Sequence, residues 1–216
     1  MIDQVSYTDL IRRLGKSATL VAVSKTKPTE DIKALYDLGQ RDFGENYVQE
    51  LVDKAAQLPN DIRWHFIGHL QSNKVKYIAP FVHLIHGVDS FKLLKEIDKQ
   101  AAKNERVIDC LLQIHIAQEE TKFGLDESEL ASLLTDPVFP GLNHVQIRGL
   151  MGMASFSEDQ ALVRSEFKTL QALFQKYGKE RGWSVLSMGM SADFSIAIEE
   201  GSTLVRIGSL LFGSRN

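Results

Sequence analysis

Two kinds of hydrophobic pattern alternate along this chain from end to end. Short, mostly apolar runs closed by turn-forming residues predict strands over 19–24, 41–44, 64–67, 82–87, 107–114, 145–150, 184–187 and 204–207. Between them apolar residues recur at i, i+3 and i+4, the spacing that lines one face of a helix. Clear examples are 29–38, opened by Thr29 as a candidate cap and ended by Gly39, and 91–103, preceded by Asp89 and Ser90. A further helix over 7–15 precedes the first strand.

Strand followed by helix, repeated, is the pattern of a parallel sheet covered by helices. Eight such strands suit closure, so the expected fold is α/β, a single-domain (β/α)8 TIM barrel over residues 1–216. An open doubly wound sheet is the alternative. The stretch 136–141, Asp-Pro-Val-Phe-Pro-Gly, reads as a turn-rich loop between units, and no linker, repeat or low-complexity segment breaks the alternation.

Composition mainly excludes. The chain has 25 basic and 28 acidic residues for a net charge of -3, with no long run of one sign, so it lacks the electrostatic footprint of a nucleic-acid or membrane-surface binder. The single cysteine, Cys110, lies in an apolar stretch and reads as a buried thiol in a reducing compartment. The first residues, Met-Ile-Asp-Gln, lack the basic-then-apolar order of an export signal, and no later run approaches membrane-spanning length. A soluble, cytoplasmic protein acting on a small molecule or another protein is expected.

Candidate chemistry begins with Lys25, which follows the apolar run Leu20-Val21-Ala22-Val23-Ser24 and precedes Thr26-Lys27-Pro28, where the chain must turn. Burial disfavours the ammonium form, so a lysine held there can supply the neutral amine that makes Schiff bases with aldehydes. Taken alone, the segment describes better the commoner case, a lysine marking a strand's exit into solvent.

The barrel alters that balance, because active sites of this fold form at the C-terminal ends of the strands, with phosphates often held after strands seven and eight. Closure sets strand eight beside strand one and brings Arg206, Gly208 and Ser209 towards Lys25 across about 180 residues of sequence. After strand seven, Met188-Gly189-Met190-Ser191-Ala192-Asp193 precedes a helical pattern through Glu199, so free amides and the Ser191 hydroxyl could receive a phosphate. Gly208-Ser209 offers the same from the next loop.

A Schiff-base lysine with a two-loop phosphate cup fits pyridoxal 5′-phosphate, which also needs a group at its pyridine nitrogen. Arg206 is the candidate: a guanidinium only donates, so it would bond an unprotonated ring nitrogen and weaken the cofactor as an electron sink. The plainer alternative for Arg206 is an ion pair with Glu199 or Glu200.

Several segments resemble the pyridoxal phosphate homeostasis proteins, the YggS/PROSC family, over essentially the whole chain. They are Val21-Ala22-Val23-Ser24-Lys25-Thr26-Lys27-Pro28, Phe43-Gly44-Glu45-Asn46-Tyr47-Val48-Gln49-Glu50, 64–74, and Arg148-Gly149-Leu150-Met151. The most specific are Met188 to Asp193 and Gly201-Ser202-Thr203-Leu204-Val205-Arg206-Ile207-Gly208. The resemblance implies that Lys25 forms the Schiff base, that Ser191, Gly208 and Ser209 hold the phosphate, that Arg206 faces the pyridine nitrogen and that Asn46 lines the ring pocket. The family is also similar to the barrel domain of bacterial alanine racemases, whose second domain and partner-subunit base find no room before Asn216. In the segment 119–124 the fit is looser, and no role is assigned to Lys122.

The expected function is therefore a vitamin B6 carrier: a monomer that holds pyridoxal phosphate on Lys25, keeps its intracellular level or delivers it to apoenzymes, and is not an enzyme. A weak amino acid racemase is the runner-up, disfavoured because only Lys25 is evident as a base where racemisation needs two. A cofactor-free Schiff-base aldolase acting on a sugar phosphate would use the same lysine and cup. No metal is expected: His65 and His69 have the spacing of a helical zinc pair, but His65 falls in a predicted strand and no Glu follows it. His83 and His86 flank Leu84-Ile85 and are expected on opposite faces of a strand as ordinary hydrogen-bonded histidines. Asn73, Lys74 and Lys76 suit a solvated surface as well as a second anion site.

Overall fold

The apolar runs form a closed parallel barrel in the computed structural model, which describes residues 2–119 and 123–213. Lys122 lies outside the described residues. The strands are β1 (Thr19–Val23), β2 (Asp42–Glu45), β3 (Arg63–Phe66), β4 (Leu84–Val88), β5 (Ile108–Ile114), β6 (Val145–Gly152), β7 (Val185–Ser187) and β8 (Leu204–Ile207), paired in sequence order. The helices are α1 (Gln4–Leu14), α2 (Thr29–Asp37), α3 (Val48–Ala55), α4 (Val75–Ile78), α5 (Phe91–Lys103), α6 (Glu127–Thr135), α7 (Gln160–Gly178), α8 (Phe194–Glu199) and α9 (Ser209–Phe212). Closure is made by β8 against β1, with Val21 opposite Arg206 and Ala22 opposite Ile207, so the open-sheet alternative falls.

Alternation along each strand sorts side chains into two cores. Val21, Leu84, Leu111, Met151 and Leu204, from five strands, pack against one another inside the barrel. Their neighbours, such as Ala22, Ile85, Leu112, Leu150 and Val205, point outward and join helix residues including Ile32, Leu51, Leu94 and Phe167 in the larger core. Helix α5 starts as its sequence suggests, with the Ser90 hydroxyl accepting the Leu93 amide at 3.3 Å. Helix α2 does not: Thr29 is already helical, and Pro28 stands at the cap without a side-chain bond. Glu30 and Asp31 in its first turn supply the negative charge that a helix N-terminus favours.

Two irregularities shape the barrel. The β5–β6 register shifts between Cys110 and Leu111, opposite Gly149, where a Cβ would stand 1.8 Å from the Val185 carbonyl oxygen. β6 then continues to Gly152, two residues beyond its predicted end, and carries Met153 to the barrel mouth. Cys110 is buried, and burial pushes its thiol well above the ordinary range. Among the described residues no helix is long and apolar enough to cross a membrane.

Candidate functional site

A cavity of about 240 Å³ opens where six strands end, lined by Val23 at the end of β1, Asn46 after β2, Ile67 after β3, Met153 after β6, Met190 after β7 and Gly208 after β8. Lys25, Lys27, Arg206, Ser209 and Gly213 complete the wall. Five of the six sequence-predicted site residues, Lys25, Asn46, Arg206, Gly208 and Ser209, thus surround one space. The sixth, Ser191, does not line it but adjoins it: the Gly208 amide donates to the Ser191 hydroxyl oxygen at 3.3 Å, joining the two loops.

Lys25 sits one residue past the end of the sheet hydrogen bonding, in a turn that is held from below. The Ser24 amide donates to the Gly44 carbonyl, and the Ser24 hydroxyl to Glu45 Oε1 at 2.6 Å. Lys54 on α3 donates to the Ser24 carbonyl at 2.7 Å, to Glu45 Oε1 at 2.8 Å and to Glu50 Oε1 at 2.6 Å. Glu50 also accepts the amide of Thr26, which has a φ of 62°, a conformation that β-branched residues rarely adopt. The turn that presents Lys25 is therefore strained, and a buried ion network fixes it. Burial raises the Glu45 carboxyl above its usual range, although Lys54 pulls the other way. On the far side, Lys27 donates to the Phe212 carbonyl at 2.9 Å, tying the same turn to the end of α9.

Arg206 does not pair with Glu199 or Glu200; both of those carboxylates bind Arg164 instead. Inside the barrel the Arg206 guanidinium donates through Nη1 to the Ser187 carbonyl at 2.9 Å and to its hydroxyl, and through Nη2 to the Gly152 carbonyl at 3.0 Å. Three of its five N–H donors are used there. Burial lowers its pKa to about 10, opposed by the nearby Asp193 carboxylate, so it stays a cation at neutral pH. Asn46 brings a different asset: its Oδ1 is buried and has no hydrogen-bond partner among the described residues.

After β7, Gly189 takes a φ of 97°, and a Cβ there would meet the Ala197 side chain at 2.6 Å, so glycine lets α8 fold back onto the strand end. The Met190 amide is satisfied by Asp193 Oδ1 at 2.6 Å, which removes one donor from the expected cup. Ser209 opens α9 beside Gly208, at the cavity wall.

Several participants escaped the sequence reading. Glu45, Glu50 and Lys54 carry no motif beyond an acid and a base four residues apart on a short helix. Met153 read only as an apolar residue after a strand, and Ile67 and Met190, though they lie in the segments that carry the resemblance, were given no role of their own. The histidines need a correction: His83 lies just before β4, outside its alternation, so the rings of both His83 and His86 pack edge-on against His65, at 5.3 and 5.2 Å. His69 is elsewhere, stacked on Phe123 and paired with Asp89. Asp42, His65 and His83 bring one potential ligand atom each within 4.8 Å of one another. Arg63, however, donates to both Asp42 oxygens and places a fixed cation where a metal's charge would go.

The chain matches the sequence profile of the alanine racemase N-terminal domain over residues 7–216. A pyridoxal phosphate homeostasis protein of Aquifex aeolicus is 44% identical over 201 residues, covering 92% of this chain and 87% of that one. Its counterpart in Schizosaccharomyces pombe is 37% identical over 220 residues, covering 97% and 92%. Among solved structures, PipY of Synechococcus elongatus without PLP superposes with a TM-score of 0.91 at 36% identity, covering 97% of this chain and 99% of that one. The same protein with PLP bound gives 0.88 over the same shares. An alanine racemase from Bartonella henselae gives 0.72 at 17% identity over 95% of this chain and 56% of that one, a likeness of fold alone. A barrel closed as in the racemases, with identities near two-fifths over nearly full length to proteins of one name, means that this chain belongs to the pyridoxal phosphate homeostasis family.

Proposed function

We propose that this chain, as one barrel domain over residues 1–216, holds pyridoxal 5′-phosphate as a Schiff base on Lys25 and serves the homeostasis or delivery of that cofactor without turnover of its own. The observation that carries the reading is convergence: an amine, a buried unpartnered amide oxygen on Asn46, a guanidinium with donors to spare and the Gly208-Ser209 turn all bound one cavity. Its volume lies below the roughly 300 Å³ at which pockets for drug-sized ligands begin, which suits a molecule with one ring. The cofactor would supply an aldehyde, and Lys25 would supply the amine that condenses with it, the aldehyde oxygen leaving as water. Ser191, Gly208 and Ser209 would receive the phosphate, Arg206 would donate to the ring nitrogen, and Asn46 would line the ring.

The lining favours a holder over a racemase. Among the described residues it offers the two amines of Lys25 and Lys27 and no carboxylate, imidazole or phenol to serve as a second base. Lys27 is bound to the Phe212 carbonyl. The protein would act in the cytoplasm as a monomer, with apoenzymes as recipients.

The test is an absorbance spectrum of the purified chain with pyridoxal phosphate, before and after borohydride, followed by peptide mass mapping. The expected result is a Schiff-base band that reduction abolishes, a stable adduct on Lys25 and no band with Lys25→Ala. An adduct on Lys27, or amino acid turnover well above that of the free cofactor, would overturn the reading.

A further inference from the structure

Lys25 is gripped on both sides of its Cα by one helix. The carbonyl before it, on Ser24, accepts from Lys54 Nζ at 2.7 Å, and the amide after it, on Thr26, donates to Glu50 Oε1. Glu50 and Lys54 lie one turn apart on α3 and pair with each other at 2.6 Å, acid before base, the order that suits a helix. The ion pair therefore closes a ring through the two peptide groups that flank Lys25. Rotation about the Lys25 N–Cα bond carries its Cβ and the following peptide together, so holding that peptide aims the side chain.

The grip works against the backbone's own preference. The Lys27 amide donates to the Ser24 carbonyl at 3.0 Å and closes a β-turn with Lys25 and Thr26 at its centre. Thr26, third in that turn, has a φ of 62°, where turns favour glycine or asparagine. Thr26 is exposed, and the bond of its amide to Glu50 opposes a return to negative φ. Ser24 is anchored to β2 on one side, and Lys27 is bound to the Phe212 carbonyl on the other. A change of φ at Thr26 is therefore taken up by the torsions of Lys25.

We propose that Glu50 and Lys54 are positioning residues for Lys25: by keeping Thr26 left-handed they set the fraction of the chain able to form the Schiff base, and so how firmly the cofactor is retained. The inference rests on reading Lys25 as the Schiff-base residue. Affinity falls in proportion to the fraction of molecules in the competent form, so a loosened turn weakens the covalent hold. The groups proposed for the ring and the phosphate, Asn46, Arg206, Ser191, Gly208 and Ser209, are not part of the grip, so non-covalent binding is spared. Glu50 is the member that can be replaced without emptying the core. Its side chain is 22% exposed against 7% for Lys54, and Glu45 stays in place to pair with Lys54.

The test titrates full-chain variants with pyridoxal phosphate and with deoxypyridoxine phosphate, which keeps the ring and the phosphate but has no aldehyde. Glu50→Ala should weaken Schiff-base formation, read from its absorbance band, about tenfold, the shift that one strained residue supplies. Binding of the deoxy analogue should stay within about twofold of wild type. Glu50→Gln, whose amide oxygen can still accept from Thr26, should keep most of the Schiff base. Adding Thr26→Gly to Glu50→Ala should recover it to within about twofold, because glycine takes positive φ as readily as negative. An undiminished Schiff base in Glu50→Ala, equal losses of both ligands, a loss in Glu50→Gln as large as in Glu50→Ala, or no recovery with Thr26→Gly would overturn the proposal. Backbone scalar couplings of Thr26 in the ligand-free chain read the turn without the cofactor: left-handed in wild type and not in Glu50→Ala is expected, and an unchanged φ would also overturn it. If wild type forms no Schiff base on Lys25, the cofactor reading fails, and the couplings still decide whether Glu50 holds the turn.

Discussion

Lys54 spends its ammonium on three acceptors at once, and two of them belong to carboxylates that would otherwise repel each other. Glu45 is fully buried and its Oε2 finds no partner among the described residues, so its charge depends on Lys54. Lys54→Met is expected to destabilise the fold by about 3–5 kcal/mol in urea unfolding, because it leaves a buried charge uncompensated, and adding Glu45→Gln should recover part of that. Asp42 acts in the opposite sense to Glu45. Its folded pKa, about 2, lies below the unfolded value, so its contribution is present above pH 4 and is lost as the pH falls towards 2. The depression corresponds to ~2 kcal/mol. The stability gap between wild type and Asp42→Asn should therefore be full at pH 7 and shrink between pH 4 and 2. Glu45, raised in the fold, favours folding most below its unfolded pKa and loses that advantage as pH rises through its folded value.

The elements set the site through their ends rather than their middles. β1 stops at Val23, and the turn that follows is fixed by α3, which has no residue in direct line with Lys25 in sequence. β6 is the longest strand, and its extension depends on Gly149, whose missing side chain admits the Val185 carbonyl. Gly149→Ala is expected to cost more than about 4 kcal/mol or to prevent soluble expression, since the obstruction is backbone and cannot rotate away. Thermal melts of this variant beside Gly141→Ala, where a Cβ meets nothing within 4 Å, separate obstruction from a general penalty on glycine replacement.

At the scale of the molecule, closure turns a row of strand ends into a cup. β8 pairing with β1 puts Arg206 opposite Val21 and Gly208 within reach of Val23, so residues from the two ends of the chain share one wall. Because the inner and outer cores are both built from strands distant in sequence, unfolding should be one cooperative transition, checked by agreement of calorimetric and van't Hoff enthalpies. Two resolved transitions would mean that part of the barrel folds independently.

Alternation and helical periodicity were enough to place all eight strands within a few residues, because a buried parallel strand must be apolar and a covering helix must be amphipathic. They also singled out Lys25 and Arg206, since a charge at the end of, or within, an apolar strand stands out against its neighbours. The capping of α2 was misread, and an ion pair of Arg206 with Glu199 or Glu200 stayed open as an alternative, for the same reason: several local partners satisfy the pattern equally well. The Lys54 network and the unpartnered Asn46 oxygen left no periodic signal. Hydrophobic pattern is a local property, legible one element at a time; which polar groups meet inside the barrel depends on register and closure, and only the folded chain decides those.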